Sequence, residues 1–132
     1  MSTLLIQNAR IACEENDDLT AADVLVENGI ITQVGQGLSA PDGAKVIDAS
    51  NKVLMPAMFD THIHMREPGQ EAKETIKSGT EAAINGGVTG VVLMPNTAPA
   101  IDSAAMVRTI YDIAKRDSRI PVYTSGCITK GR

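Results

Sequence analysis

The two histidines of the chain, His62 and His64, lie one residue apart in the segment Asp-Thr-His-Ile-His-Met-Arg. Because side chains alternate between the two faces of a β-strand, an extended segment projects both imidazoles to one side. Asp60 and Arg66 fall in the same alternating phase. Two imidazoles at this spacing can converge on one metal ion, with Zn–N bonds of about 2.0–2.1 Å. The sequence therefore predicts a metal site with His62 and His64 as ligands and Asp60 as the hydrogen-bonding residue that orients it.

A His-x-His pair also occurs in half-buried strands whose histidines face water, and that is the competing interpretation. The metal interpretation is favoured because polar residues collect at the carboxyl end of a predicted strand that opens an α/β unit, where ligands bind in such folds. A zinc centre usually has at least three protein ligands, and the sequence has no third histidine. Cys127 and Asp102 carry suitable donor atoms, but nothing in the sequence places them nearby. The predicted site is therefore incomplete within these residues.

A second polar segment, Met94–Asp102, follows an apolar run at Val88–Met94. Because the carboxyl ends of parallel strands meet at one edge of a sheet, Asn96 is expected at the same edge as Arg66. An amide and a guanidinium fork can together hold a substrate carboxylate. The alternative is a loop that only connects a strand to a helix, since Pro and Asn are common turn formers.

These candidate residues lie in a region where apolar runs alternate with amphipathic segments. The predicted elements are strands at Phe59–Met65, Val88–Met94 and Ile120–Gly126, a helix from Ala72 to Ile84, and a helix that begins near Asp102-Ser103. The order β-α-β-α-β predicts parallel strands with helical crossovers, and hence an α/β fold.

The first part of the chain has a different pattern, with short strands and turn residues. A polar loop is predicted at Glu14–Asp18, and Asn28-Gly29 between apolar runs predicts a β-hairpin. We therefore expect two domains, a β module over residues 1–55 and an α/β region over residues 56–132.

Composition limits the classes of partner. The chain has 132 residues, of which 43% are hydrophobic and 21% charged, with a formal net charge of −4. Without a basic cluster, a nucleic-acid partner is disfavoured. The longest nearly apolar run, Val53–Phe59, is too short to span a bilayer. Cys13 and Cys127 have neither metal-type spacing nor a disulfide framework, which favours a reducing cytoplasm.

Two segments together carry a resemblance to a known family. "DTHIHMREPGQEAKET" and "GGVTGVVLMPNTAP" resemble dihydroorotase, of the cyclic amidohydrolase group within the metal-dependent amidohydrolase superfamily. The resemblance runs through most of the chain. Its departures are Ala57 in place of a usual glycine and Met65 in place of a usual leucine. It implies a (β/α)8 TIM-like barrel with a β-sandwich formed from both chain ends.

The resemblance also implies an activity, the reversible ring opening of dihydroorotate to N-carbamoyl-L-aspartate in de novo pyrimidine biosynthesis. It implies one or two zinc ions with His62 and His64 as ligands, and a substrate carboxylate held by Arg66 and Asn96. The family's proton-shuttling aspartate and remaining metal ligands lie further along the chain than Arg132. A homo-oligomer is expected, and aspartate transcarbamoylase stays open as a partner.

Alternatives within the resemblance stay open. One is another cyclic amidohydrolase, such as an allantoinase or a hydantoinase. Another is a dihydroorotase-like chain without catalysis that serves as a partner of aspartate transcarbamoylase; the retained His62 and His64 count against it.

Length bears directly on activity. A barrel needs about 250 residues, and residues 56–132 leave room for three of its eight strands. We therefore expect the chain to be the N-terminal part of a longer enzyme, and to be inactive by itself.

Overall fold

The structure is a computed structural model that describes residues 2–13 and 16–131. The chain divides into two compact units, Met1–Pro56 and Ala57–Arg132. Within the described residues, the first unit is built from strands and the second alternates strands with helices. Neither helix in this part of the chain is long and apolar enough to cross a membrane.

The first unit is a five-stranded sheet. Its strands are β1 (Thr3–Cys13), β2 (Asn16–Glu27), β3 (Ile30–Gly35), β4 (Lys45–Asp48) and β5 (Val53–Leu54). β2 pairs antiparallel with β1 and β3, whereas β4 and β5 both pair with β1 in parallel. Asn28 and Gly29 join β2 to β3 with φ values of 52° and 82°. Positive φ at both positions is what a tight two-residue hairpin requires, so the predicted hairpin is confirmed.

The predicted polar loop at Glu14–Asp18 is wrong for its last three residues. β2 begins at Asn16, which pairs with Cys13 of β1. Backbone hydrogen bonds of the β1–β2 ladder continue into this polar stretch, so pairing overrides the weak strand preference of Asn and Asp. Glu14 and Glu15 lie outside the described residues.

A buried carboxylate supports an irregularity in β1. The register of the β1–β2 pair shifts between Ile6 and Ala9, and Asn8 there has a φ of 61°. The Asp23 carboxylate accepts hydrogen bonds from the backbone N–H of Asn8 at 2.8 Å and of Leu38 at 2.9 Å. These two bonds lower the pKa of Asp23, and the bond from Asn8 has the larger effect. The ionised side chain therefore fixes both a bulge and the loop after β3.

Removing this carboxylate should loosen the two segments that it joins. In the Asp23→Ala variant of the intact protein, we expect faster hydrogen exchange at the amides of Asn8 and Leu38, because both lose their acceptor. Since the folded pKa is depressed, the stabilisation is present above the unfolded pKa and is lost as pH falls below about 4. Exchange protection should therefore decline in acid in the wild type but not in Asp23→Asn. Equal acid dependence in both proteins would contradict this role.

The second unit is a three-stranded parallel sheet with helices between its strands. Its elements are β6 (Met58–Ile63), α1 (Ile76–Asn85), β7 (Val88–Leu93), α2 (Ala104–Asp117) and β8 (Val122–Thr124). The strands lie in the order β6-β7-β8. The predicted β-α-β-α-β order is confirmed.

The first helix begins later than predicted. The apolar period extends back to Ala72, but Thr75 is the N-cap and accepts a hydrogen bond from the backbone of Ser78. Ser78 returns a bond to the backbone of Thr75, which completes a capping box. Ser103 caps α2 in the predicted place and accepts from the backbone of Met106 at 3.4 Å.

The core of the second unit lies between the sheet and its helices. Its buried members are Met65, Ile76, Val91, Leu93, Ile101, Ile110, Ala114 and Val122. The opposite side of the sheet holds the Phe59 ring, which lies against Gly90 and 5.9 Å from the Tyr123 ring. Phe59 and Tyr123 remain 49% and 50% exposed, so this side of the sheet is much less covered than the helical side.

Candidate functional site

The strand β6, which contains His62 and ends one residue before His64, has a bulge. Asp60 of β6 pairs with Val91 and Ile63 with Leu93, so three steps along β6 match two along β7. The Asp60 carboxylate accepts a hydrogen bond from the backbone N–H of His62 at 3.0 Å, within the bulge. A bulge leaves a residue without its hydrogen-bond partner in the strand ladder. The short carboxylate side chain of Asp60 can supply that partner and so stabilise the bulge.

The bulge overturns part of the expected alternation. Asp60 lines a depression together with Ile63 and Ala83 of α1, which places it on the helical side of the sheet. Strict alternation puts Asp60 and Ile63 on opposite faces, and that prediction is wrong because the register shifts between them. Asp60 contacts the backbone of His62, and its role as a residue that orients the site stays a prediction.

The two imidazoles lie side by side, as their spacing predicts. The ring centroids of His62 and His64 are 5.2 Å apart and the ring planes make an angle of 63°. Nδ1 of His64 lies 2.8 Å from Oδ1 of Asn96, which follows β7. Both histidines are exposed. The end of β6 and the loop after β7 thus form one cluster of polar side chains.

This arrangement fits two ligands of one metal ion. With Zn–N bonds of about 2.1 Å and a tetrahedral angle, two imidazole centroids lie about 5 Å apart. Because Nδ1 of His64 is engaged by Asn96, its Nε2 is the nitrogen left for a metal. Within residues 2–13 and 16–131, no group of three His, Cys, Asp or Glu side chains could hold a metal ion. The role of the two histidines as ligands stays a prediction.

Cys127 and Asp102 carry donor atoms but lie in other contacts. Oδ2 of Asp102 accepts a hydrogen bond from the backbone N–H of Gly131 at 2.7 Å. Sγ of Cys127 lies 3.7 Å from the carbonyl oxygen of Pro95. These contacts join the segment after β8 to the loop after β7.

Arg66 lies in a loop that is fixed through its backbone. Its N–H donates to the carbonyl of Glu74 at 3.1 Å, and its carbonyl accepts from the N–H of Gln70 at 2.9 Å. The side chain is half-buried. Arg66 and Asn96 are thus placed on the loops that follow neighbouring parallel strands, and their roles toward a substrate stay predictions.

The loops after β6 and β7 touch at Gly69. The N–H of Ala98 donates to the carbonyl of Pro68 at 3.1 Å. Gly69 has a φ of 96°, and a Cβ atom there would overlap the carbonyl oxygen of Ala98 and lie 2.7 Å from its carbonyl carbon. The N–H of Gly69 donates to the Glu71 carboxylate at 2.7 Å, which lowers the pKa of Glu71. The pair Pro68-Gly69 indicates a turn in the sequence. The close approach of Gly69 to Ala98 depends on residues that are distant in the chain, so the sequence alone does not reveal it.

The second unit is a parallel α/β sheet with polar side chains at the carboxyl ends of its strands, the place where proteins of this class bind ligands. Residues 51–132 match the family described as Dihydro-orotase-like. The chain belongs to this family.

Individual relatives agree with this assignment. The chain is 43% identical over 128 residues to a dihydroorotase from Citrifermentans bemidjiense, a match covering 97% of the chain and 30% of the relative. It is 44% identical to a dihydroorotase from Trichlorobacter lovleyi, again over 97% of the chain and 30% of the relative. The chain thus spans about 30% of the length of the curated relatives that it matches.

Solved structures with a similar fold include two hydantoinases. An L-hydantoinase (dihydropyrimidinase) from Arthrobacter aurescens is 24% identical with a TM-score of 0.85, over 96% of this chain and 28% of that protein. A D-hydantoinase (dihydropyrimidinase) from a Thermus species is 32% identical with a TM-score of 0.77, over 93% of this chain and 27% of that protein.

Proposed function

We propose that the chain is the N-terminal part of a dihydroorotase, which reversibly opens the ring of dihydroorotate to give N-carbamoyl-L-aspartate in de novo pyrimidine biosynthesis. The observation that carries this proposal is the pair of adjacent imidazoles, with His64 bonded to Asn96, at the carboxyl ends of parallel strands. The family match and the relatives named dihydroorotase support the choice of reaction.

The proposed architecture is a (β/α)8 barrel whose first three strands and two helices are residues 56–132. Residues 1–55 then belong to a β-sandwich. The sequential order β6-β7-β8 with a helix after each of the first two strands supports the barrel, because this is how such barrels are built. The rings of Phe59 and Tyr123 are exposed on the side away from the helices. This is consistent with an inner barrel face that further strands would cover.

His62 and His64 are the proposed ligands of one or two zinc ions. When bound, zinc polarises a carbonyl and lowers the pKa of a water molecule to about 7. The chain's own contribution is to hold the two imidazoles together through the bulge in β6 and the contact between His64 and Asn96. The remaining ligands and the aspartate that moves a proton come from later residues of the enzyme.

Arg66 is proposed to hold the substrate carboxylate together with the amide of Asn96. In the intact enzyme, Arg66→Ala should raise KM for dihydroorotate by about 30- to 5,000-fold, equivalent to about 2–5 kcal/mol for a desolvated charge pair. Arg66→Lys is the matched control: it keeps the charge but loses the two-pronged hydrogen bonding, so an intermediate KM is expected. Steady-state kinetics at saturating zinc would make the measurement. A KM equal to that of the wild type would remove Arg66 from the substrate site.

A hydantoinase is the second candidate, because the D-hydantoinase from a Thermus species is 32% identical to this chain. The intact protein should be assayed with dihydroorotate, hydantoin, dihydrouracil and allantoin side by side. We expect turnover of dihydroorotate to dominate, since its ring carboxylate matches the guanidinium of Arg66. Turnover of the other compounds without dihydroorotate would replace the proposed function. No turnover of any compound by a folded protein would favour a non-catalytic partner of aspartate transcarbamoylase.

Assembly and location complete the proposal. We place the enzyme in the cytoplasm as a homo-oligomer, with a small-molecule substrate and no nucleic-acid or membrane partner. The free thiol of Cys127 agrees with a reducing compartment, and the net charge of −4 is unfavourable for nucleic acid.

A further inference from the structure

The side chain of Asn96 ends in an amide, whose oxygen accepts hydrogen bonds and whose nitrogen donates them. Oδ1 lies 2.8 Å from Nδ1 of His64. An amide oxygen cannot donate a proton, so Nδ1 of His64 is the donor and carries the hydrogen. In the neutral imidazole, a hydrogen on Nδ1 leaves the lone pair of Nε2 free. The two N–H groups of the Asn96 amide remain available to another acceptor.

The backbone on both sides of Asn96 is held in place. The N–H of Met94 donates to the carbonyl of Ile63 at 2.9 Å, which ties the start of the loop to the end of β6. Beyond Asn96, Thr97 is 3% exposed and its hydroxyl donates to the carbonyl of Pro99 at 2.7 Å. The N–H of Ala98 donates to the carbonyl of Pro68. The amide is therefore presented to His64 from a loop whose backbone is hydrogen-bonded on both sides of Asn96.

We infer that Asn96 is a positioning residue for His64, setting its ring orientation and tautomer for metal binding, in addition to its proposed contact with the substrate carboxylate. This inference rests on the proposed function for the ligand role of His64 and for the nature of the substrate. Partners on the second ring nitrogen orient metal-bound histidines in this way, and their loss weakens metal binding by about 10- to 100-fold. One side chain would then connect the metal and the carboxylate of the substrate.

Two substitutions test the acceptor and the donor groups of the Asn96 amide separately. Asn96→Leu is nearly the same size and removes both the acceptor and the donors. Asn96→Asp keeps an acceptor for Nδ1–H of His64 but replaces the donors with a charge that repels a carboxylate. We expect Asn96→Leu to weaken both zinc binding and substrate binding. Asn96→Asp should bind zinc at least as tightly as the wild type, and its KM should nevertheless rise.

Zinc affinity of the intact enzyme, measured by competition with a chelator, is the readout that does not depend on activity. We expect about 10- to 100-fold weaker binding for Asn96→Leu and none of this loss for Asn96→Asp. Nitrogen-15 shifts of the His64 ring in the metal-free protein should report a proton on Nδ1 in the wild type and lose that preference in Asn96→Leu. Thermal unfolding of each metal-free variant checks that the fold is retained.

The outcomes distinguish this inference from the proposed function. Wild-type zinc affinity in Asn96→Leu overturns the positioning role, while the dihydroorotase assignment stands if dihydroorotate is still turned over by the wild type. Conversely, a wild type that binds zinc but does not act on dihydroorotate ends the proposed function, and the affinities of the variants still test the contact with His64. A wild type that binds no zinc overturns the ligand role of His64 and with it the positioning role of Asn96, whereas the proposed reaction is still judged by turnover of dihydroorotate.

Discussion

Replacing both His62 and His64 with alanine in the intact enzyme is expected to remove bound zinc and reduce ring opening to an undetectable rate. The two rings lie 5.2 Å apart and together form the paired nitrogen donors of the proposed site. A zinc ion left with fewer than three protein ligands binds weakly, and without it no bound water reaches a pKa near 7. Elemental analysis after gel filtration gives the zinc content directly.

The double substitution should leave the fold intact, because both histidines are exposed. Arg108→Ala on the exposed surface of α2 is the matched control for a surface truncation, and it should keep both zinc and activity. Circular dichroism of the three proteins should agree. If the double variant retains zinc at the wild-type ratio, the two histidines are not its ligands.

The second large effect is expected from Gly69→Ala. The residue has a φ of 96°, and a Cβ atom would overlap the backbone carbonyl of Ala98, which cannot rotate away as a side chain could. The loops after β6 and β7 must then separate. Because those loops carry Arg66 and Asn96, we expect KM for dihydroorotate to rise and the protein to unfold at a lower denaturant concentration.

A glycine elsewhere in the same unit provides a control for backbone strain alone. Gly87 has a φ of 82°, but a Cβ atom there would meet only the terminal carbon of Met58 at 3.9 Å, an ordinary contact. Gly87→Ala should therefore cost only the left-handed penalty of about 1–2 kcal/mol and leave KM unchanged. Equal destabilisation by the two substitutions, with KM unaltered in both, would show that the contact between the loops has no effect on the site.

Local signals in the sequence predicted much of this architecture. The turn at Asn28-Gly29 is specified by residues that adopt positive φ at little cost, and the cap at Ser103 by a hydroxyl that can accept from the helix backbone. Apolar periodicity predicted the alternation of strands and helices in the second unit. These features depend on neighbours in the chain, which is why one sequence suffices to find them.

Features that depend on partners distant in the chain were missed. The bulge between Asp60 and Ile63 is defined by their pairing with β7, and no local pattern encodes it. The contact of His64 with Asn96 joins residues that are 32 positions apart. For the helix, the apolar period suggested a start at Ala72, because the period alone does not show that Thr75 caps the backbone. The spacing of the histidines predicted adjacent rings, whereas Asn96, the residue inferred to orient His64, could be identified only from the fold.

The half-exposed rings of Phe59 and Tyr123 have a consequence for biosynthesis. On the proposed assignment, this sheet has been synthesised while roughly 300 residues of a protein as long as its relatives are still to be translated. At about 5–20 residues per second, that takes about 15–60 s. During this interval the nascent polypeptide exposes aromatic surface and unpaired strand edges, which favours aggregation until later residues cover them.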